Sequence, residues 1–213
     1  MTPHHKELHL TINAGKLDVR ALRVGDSIAV NGVCLTITAL NAQGFEAWVS
    51  EETLRVTTGL NTLGSVNLEP SLKMGDTLGG HLVIGHVDAM GTVLDLTEMG
   101  ECKHLCVRLP QPLMPFIAVK GSLCLHGVSL TINAVTADTV SVNLIPHTLL
   151  NTTLGSLQLG DTLNVEVDLI ARYLLRWQEY ATLNEQSPTP FALSTTPIDR
   201  LDLLQLLQGK ALL

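Results

Sequence analysis

Along most of the chain apolar and polar residues alternate with a period of two in short runs, among them 107–109, 130–135 and 163–167, all rich in Val, Thr, Leu and Ile. A period of two puts one set of side chains on a buried face and the other on an exposed face, so the pattern predicts β-strands. Gly32 in "VNG" and Gly127 in "LHG" mark bends, where a residue without Cβ tolerates positive φ. Helical periodicity is scarce until Asp168. From there Ile170, Tyr173, Leu174, Trp177 and Ala181 recur at spacings of three and four, which predicts an amphipathic helix with Asp168 as its N-cap. Its apolar stripe needs a partner surface, and an oligomer interface supplies one. The stretch 184–197, "NEQSPTPFALSTTP", reads as linker, and the closing "PIDRLDLLQLLQGKALL" as either a short helix with Ile198, Leu201 and Leu204 inward or a frayed end.

The strand pattern is written twice. "VGDSIAVNGVCLTITAL" from Val24 aligns with "VKGSLCLHGVSLTINAV" from Val119, and in the same register "EETLRVTT" from Glu51 meets "PHTLLNTT" from Pro146. After a slip of two residues, "VNLE" from Val66 meets "LNVE" from Leu163. Many short strands in a duplicated array predict an all-β barrel or sandwich repeated in tandem. The second copy opens with "GGHLVIGHVDAMGTVLDL", whose counterpart in the first copy would begin before Met1. The first copy is therefore expected to lack its opening strand and to leave a sheet edge unpaired.

Composition narrows the function classes. A chain of 213 residues with 46% hydrophobic residues has ample material for a core, and a net charge of −7 is a poor footprint for phosphate backbones, so nucleic acid is not an expected partner. The longest uncharged run, 139–160, holds Asn143, Pro146, His147, Asn151 and Gly155, too polar for a bilayer span. The opening "MTPHHKELHL" lacks the apolar core of a signal peptide, and Cys34, Cys102, Cys106 and Cys124 are too sparse for a disulfide scaffold. A cytoplasmic protein with free thiols is the expectation.

Several residues invite chemistry. The repeat puts Cys34 and Ser129 at equivalent positions just after the two glycine bends. Read as packing, they are two small residues on strands; read as function, they specialise two otherwise similar ligand sites. His81 and His86 lie in the glycine-dense connector "LGGHLVIGHVD", a favoured place for binding residues, and His86 is the preferred candidate. Cys102, His104 and Cys106 alternate on one side of a strand, but no second pair with ligand spacing exists, so no metal site is assigned. Glu51 and Glu52 are neighbours along a strand or turn that point apart if extended. GxSxG, P-loop and GxGxxG motifs are absent.

Taken in order, "SIAVNGVCLTIT", "ETLRVTTGL", "GDTLGGHLVIGHVDAMGTV", "HGVSLTI", "LIPHTL" and "NVEVD" resemble riboflavin synthase from about Leu8 to Trp177. The resemblance implies tandem duplicated six-stranded Greek-key β-barrels, the first lacking its opening strand, and a C-terminal amphipathic helix that assembles a homotrimer. It implies an N-terminal lumazine-binding barrel over 1–80, a C-terminal one over 81–168, a trimerisation helix over 169–182 and a linker with a short helix over 183–213. The implied reaction is a dismutation: two molecules of 6,7-dimethyl-8-ribityllumazine exchange a four-carbon unit to give riboflavin and a ribitylamino-pyrimidinedione, with no metal or redox cofactor. The alternative is a lumazine- or flavin-binding protein without turnover.

Carried over position by position, the resemblance implies catalytic roles for Cys34, His86, Ser129, Thr131 and Asp168, the last also explicable as a helix cap. In the first copy it implies ligand contacts from Ser27, Leu35 and Thr36, and from Trp48, Val49, Ser50, Glu51, Glu52 and Thr53. In the connector and second copy it implies contacts from Gly85, Val87, Lys120 and Leu130, and from Leu144, Ile145, Pro146, His147, Thr148 and Leu149, with the "LIPHTL" strand offering its backbone to the pteridine edge. Two departures stand out. The family's opening Met-Phe-Thr-Gly segment has no counterpart, and His147 stands where an acidic residue is usual.

Overall fold

A computed structural model describes residues 7–184. One compact unit extends to Leu175 and a second begins at Arg176. Within the first unit the duplication is realised as two β-structures. The second copy is a closed barrel of six strands in the order β10-β7-β6-β11-β8-β9: β6 (Ala89–Met99), β7 (Cys102–Arg108), β8 (Ser122–Leu125), β9 (Val128–Val135), β10 (Thr139–Leu144) and β11 (Thr162–Val167). The first copy is a five-stranded sheet in the order β1-β4-β3-β2-β5: β1 (Leu8–Asn13), β2 (Ser27–Val30), β3 (Val33–Asn41), β4 (Gly44–Val49) and β5 (Leu68–Pro70). The two orders are the same order, with β1 standing for β7 and β5 for β11, and with no strand in the place of β6 among the described residues.

Each copy has its own core, as period-two patterning demands. Ile28, Val30, Leu35, Ile37, Phe45 and Ala47 fill the first, and Leu105, Leu123, Leu125, Ile132, Val142 and Leu163 the second, all essentially inaccessible to solvent. Strands β4 and β10 are each followed by a short helix, where a strand was expected at "LIPHTL" and a strand or turn at Glu51 and Glu52. Helix α1 (Glu51–Val56) starts because Ser50 Oγ accepts the Thr53 amide at 3.1 Å and two carboxylates lie in the positive first turn. Helix α2 (Pro146–Asn151) starts on Pro146, whose fixed φ and missing N–H suit a first helical position.

The copies meet at their hairpin turns. Asn31 and Gly32 have φ of 49° and 76°, His126 and Gly127 of 50° and 84°, the left-handed pair a tight two-residue hairpin requires. The two turns abut: a Cβ on Gly32 would lie 2.6 Å from the Gly127 nitrogen, and one on Gly127 would lie 2.9 Å from the Gly32 nitrogen. Two equivalent asparagines then lock one copy to the other. Asn164 donates to the carbonyls of Asn31 and Thr58 and accepts the Thr58 amide at 2.7 Å; Asn67 donates to the His126 carbonyl and accepts the Thr153 amide at 2.8 Å. His126, buried here, accepts the Asn164 amide at Nδ1, and burial depresses it from the ordinary imidazole value of 6.5 to about 4.

Helix α3 (Leu169–Asn184) begins where predicted, with Asp168 Oδ1 accepting the Ile170 amide at 2.9 Å. Arg172 on its first turns forks onto Asp88 at 2.9 and 3.1 Å, and Asp88 also accepts the Val167 amide. Ile170, Tyr173, Leu174 and Trp177 are all more than 60% exposed. The linker expected at 184–197 and the closing helix lie outside the described residues, apart from Asn184 at the end of α3.

Candidate active site

Strand parity decides which side chains are available. On β3 and β9 the residues Val33, Leu35, Ile37 and Leu130, Ile132 face the cores, so Cys34, Thr36, Ser129 and Thr131 stand on the opposite, outward face. Cross-strand register then assembles two grids. In the second copy Ser129 pairs with Cys124 and Cys124 with Glu166, while Thr131 pairs with Ser122 at the level of Asp168 just beyond β11. In the first copy Cys34 pairs with Ala29 and Ala29 with Glu69, while Thr36 pairs with Ser27, whose carbonyl accepts the Ser71 hydroxyl at 2.8 Å. The grids share their lattice and differ in content: thiol against hydroxyl, Ala29 against Cys124, Ser71 against Asp168.

The connector between the copies lies over both grids. At one point it touches Ser129: His81 Nδ1 is 2.7 Å and the His81 amide 3.3 Å from Ser129 Oγ, and a Cβ on Gly80 would collide with the same hydroxyl. The amide donates to Oγ, and the hydroxyl shares a second hydrogen bond with Nδ1 whose direction follows the imidazole tautomer. Nε2 is buried and has no protein partner. Burial holds the ring below the usual imidazole range, with the Asp168 carboxylate opposing that shift. An imidazole hydrogen-bonded to a hydroxyl, within the electrostatic reach of a carboxylate, is a proton-transfer arrangement.

At a second point the connector touches Cys34. The Gly85 carbonyl accepts the Cys34 amide at 2.8 Å, and a Cβ on Gly85 would lie 2.7 Å from the Cys34 Cβ. The amides of Ile84 and Gly85 donate to the two oxygens of Glu166 at 2.9 and 3.0 Å, so a second-copy carboxylate fixes the loop that covers the first-copy thiol. Burial raises both Glu69 and Glu166; the Glu166 charge adds to the rise at Glu69, while the Ile84 and Gly85 amides oppose the rise at Glu166. A cavity of about 520 Å³ lies beneath the connector, walled by Ala29, Asn67, Glu69, His81 and Ser129 among others.

The remaining sequence candidates divide by environment. Leu35, Val49, Leu130 and Leu144 are core residues, so only their backbone is free to meet a ligand. Val87 packs against the first core, Gly85 is buried, and His86 next to it is exposed. Trp48 is exposed and packs against His9, ring centroids 4.6 Å apart and planes tilted by 40°; Lys120, in a turn with φ of 68°, is exposed too. Glu51, Glu52 and Thr53 occupy α1, with Glu52 paired to Arg55 at 3.0 Å; Pro146, His147, Thr148 and Leu149 occupy α2 behind Ile145. Sequence reasoning noted His81 but passed over it for His86. The available signal was its place directly after Gly79 and Gly80, the one way the connector backbone can approach Ser129 so closely. Glu166 and Glu69 were missed because a glutamate in an alternating strand reads as an outward, solvated residue.

A fold of two such copies defines a class, the lumazine-binding domain proteins: the family model "Lumazine binding domain" matches residues 2–71 and 84–168. Among solved structures, LumP complexed with 6,7-dimethyl-8-(1'-D-ribityl) lumazine superposes with a TM-score of 0.67 at 23% identity, covering 76% of this chain and 88% of that one. Among curated relatives, riboflavin synthase of Brucella abortus (strain 2308) is 45% identical over 170 residues, covering 76% of this chain and 84% of that protein. Riboflavin synthase of Photobacterium leiognathi is 39% identical over 173 residues (80% and 79%), and that of Bacillus subtilis (strain 168) 37% over 183 (84% and 84%). The chain belongs to the riboflavin synthase family.

Proposed function

We infer that the chain is a riboflavin synthase, a transferase that moves a four-carbon unit between two molecules of 6,7-dimethyl-8-ribityllumazine. The observation that carries this reading is the pair of matched outward grids with unlike contents. A reaction that consumes two identical molecules in opposite roles needs two similar cradles and two different sets of reactive groups. Holding both substrates in place converts an encounter of two solutes into a local event.

In the second copy, the donor lumazine loses a proton from its C7 methyl, an acidic position because the anion delocalises into the pteridine. Ser129 and His81 form the path for that proton, and the buried, unpartnered Nε2 of His81 is left to exchange a hydrogen bond with the ligand. Asp168 holds its carboxylate near His81 while it caps α3. In the first copy, Cys34 activates or adds to C7 of the acceptor lumazine, with Ser27 and Thr36 beside it and His86 in the loop above. Thr131 and Lys120 complete the polar wall of the second cradle. Trp48, Ser50 and Thr53 in the first and Ile145, His147 and Thr148 in the second offer side chains at the rims. We further propose that Ile170, Tyr173, Leu174 and Trp177 are covered in a homotrimer, and that the protein works in the cytoplasm; among the described residues no helix is long and apolar enough to cross a membrane.

The direct test mixes purified protein with 6,7-dimethyl-8-ribityllumazine and follows riboflavin fluorescence. Accumulating riboflavin is the expected result. Lumazine that binds without conversion would replace the enzyme by a carrier, and no binding at all would remove both.

A further inference from the structure

Strand β11 turns its polar residues outward in succession, because Leu163, Val165 and Val167 take the core face. Asn164 directs its side chain to the first copy, and Asp168, just beyond the strand, caps α3. Glu166 stands between them and is 2% exposed. A carboxylate that deep stays ionised only where hydrogen bonds replace its water. The connector supplies them, through the Ile84 amide at 2.9 Å on one carboxylate oxygen and the Gly85 amide at 3.0 Å on the other. Burial raises the Glu166 carboxyl and Asp88 adds to the rise, while the two amides and His86 oppose it.

The same stretch is pinned again at Asp88. Its amide donates to the Val165 carbonyl at 2.8 Å, and its carboxylate accepts the Val167 amide at 2.9 Å and the Arg172 guanidinium at 3.1 Å. Residues 84–88 are thus held by one carboxylate reaching out from β11 and a second reaching back to it, and His86 is carried between the two. Gly85 passes the constraint to the first copy. Its N–H points to Glu166, and its carbonyl accepts the Cys34 amide at 2.8 Å. With φ of 78°, a conformation that suits glycine, it lies so close that a Cβ would be 2.7 Å from both the nitrogen and the Cβ of Cys34. One short segment therefore joins a second-copy carboxylate to the thiol residue of the first copy.

We propose that Glu166 is a positioning residue for the first cradle: its carboxylate fixes the Ile84–Gly85 backbone, and through it the placing of Cys34 beneath the connector and of His86 within it. The clamp works because both oxygens accept. A glutamine has the same length, but one of its two terminal atoms is an amide nitrogen that would meet a backbone N–H donor to donor. A buried N–H without an acceptor is costly, so the segment lifts until water reaches it. Cys34 then loses the cover of Gly85, and His86 loses its fixed distance from Cys34. A misplacement of about 1 Å can slow a reaction on the order of 100-fold. The consequence for turnover rests on the proposed function, whereas the clamp itself does not.

The test uses the full chain with Glu166→Gln, and maps both amide hydrogen exchange and iodoacetamide alkylation by mass spectrometry. Exchange across residues 84–86 and at Cys34 should rise at least about tenfold, with β7 unchanged. Alkylation of Cys34 should rise at least about tenfold, while Cys102 and Cys106 on β7 keep their rates and serve as internal controls. Arg172→Ala releases only the other pin and should leave Cys34 alkylation within about twofold of the parent chain. With 6,7-dimethyl-8-ribityllumazine, kcat of Glu166→Gln should fall at least about tenfold and KM change by less than about threefold, since the clamp orients reacting groups more than it holds substrate. Should Glu166→Gln not fold, Glu166→Asp, which keeps the charge and withdraws both oxygens by one methylene, is read in the same way. Unchanged exchange and alkylation would overturn the clamp, whatever reaction the protein runs. A released connector with an unchanged kcat would overturn the positioning role. A parent chain that makes no riboflavin would defeat the enzyme reading instead, and exchange and alkylation would still decide the clamp.

Discussion

The two copies share a lattice of strands, two touching glycine turns and two reciprocal asparagine clamps, yet among the described residues one is a closed barrel and the other an open five-stranded sheet. The difference lies at one strand: β6 bridges β7 and β11 in the second copy, and no described strand bridges β1 and β5 in the first. The outward grids are alike in both copies because they lie on the β2-β3 and β8-β9 hairpins, whose turns touch across the copies. What the comparison teaches is that a duplicated fold can keep its backbone lattice while matched outward positions carry unlike side chains, Cys34 for Ser129 and Ser71 for Asp168.

If His81 makes the second grid the proton-handling side, removing it has the largest effect. His81→Ala is expected to lower kcat by at least roughly 100-fold, the usual scale for a general base, with His86→Ala closer to tenfold. Equal losses, measured by riboflavin fluorescence, would mean that the connector acts as a whole. Next comes the asymmetry of the turns, where buried His126 stands against Asn31. Its folded-state pKa lies below its unfolded value, so the unfolded chain takes up the proton first; stability is full above pH 6.5 and is lost as pH falls toward about 4. The loss is on the order of 3 kcal/mol, and His126→Asn, which copies the first turn with a residue tolerant of positive φ, should flatten that slope in urea melts at a series of pH values.

A smaller effect tests the exchange of thiol and hydroxyl. Cys34→Ser should slow turnover by about tenfold without changing assembly in sedimentation, as expected where an activated thiol contributes to one half-reaction. An unchanged rate would make the two grids chemically equivalent. The smallest effect falls on Asp168. Asn caps a helix as well as Asp, so Asp168→Asn should leave stability within about 0.5 kcal/mol. With the carboxylate that raises His81 gone, the acid limb of the pH–rate profile should shift to lower pH.

Much of this was legible in the chain. The period of two gave the strands, the repeat gave the second copy and its shared strand order, and the break in period at Asp168 gave α3 and its cap. The short helices α1 and α2 were hidden because six residues of helix carry too little periodicity to outweigh the strands around them. The pairing of His81 with Ser129 was also hidden, since it depends on how the connector crosses from one copy to the other and not on spacing within either. The same holds for Glu166, whose partners Ile84 and Gly85 are distant in sequence and whose burial comes only from the loop folded over it.

The central claim is that one chain offers two like cradles with unlike chemistry, and binding stoichiometry measures it most directly. Rapid titration with 6,7-dimethyl-8-ribityllumazine should saturate at two molecules per chain, with Ser129→Ala and Cys34→Ser each weakening a different one of the two. A single molecule per chain, or two that respond alike to both substitutions, would contradict the account.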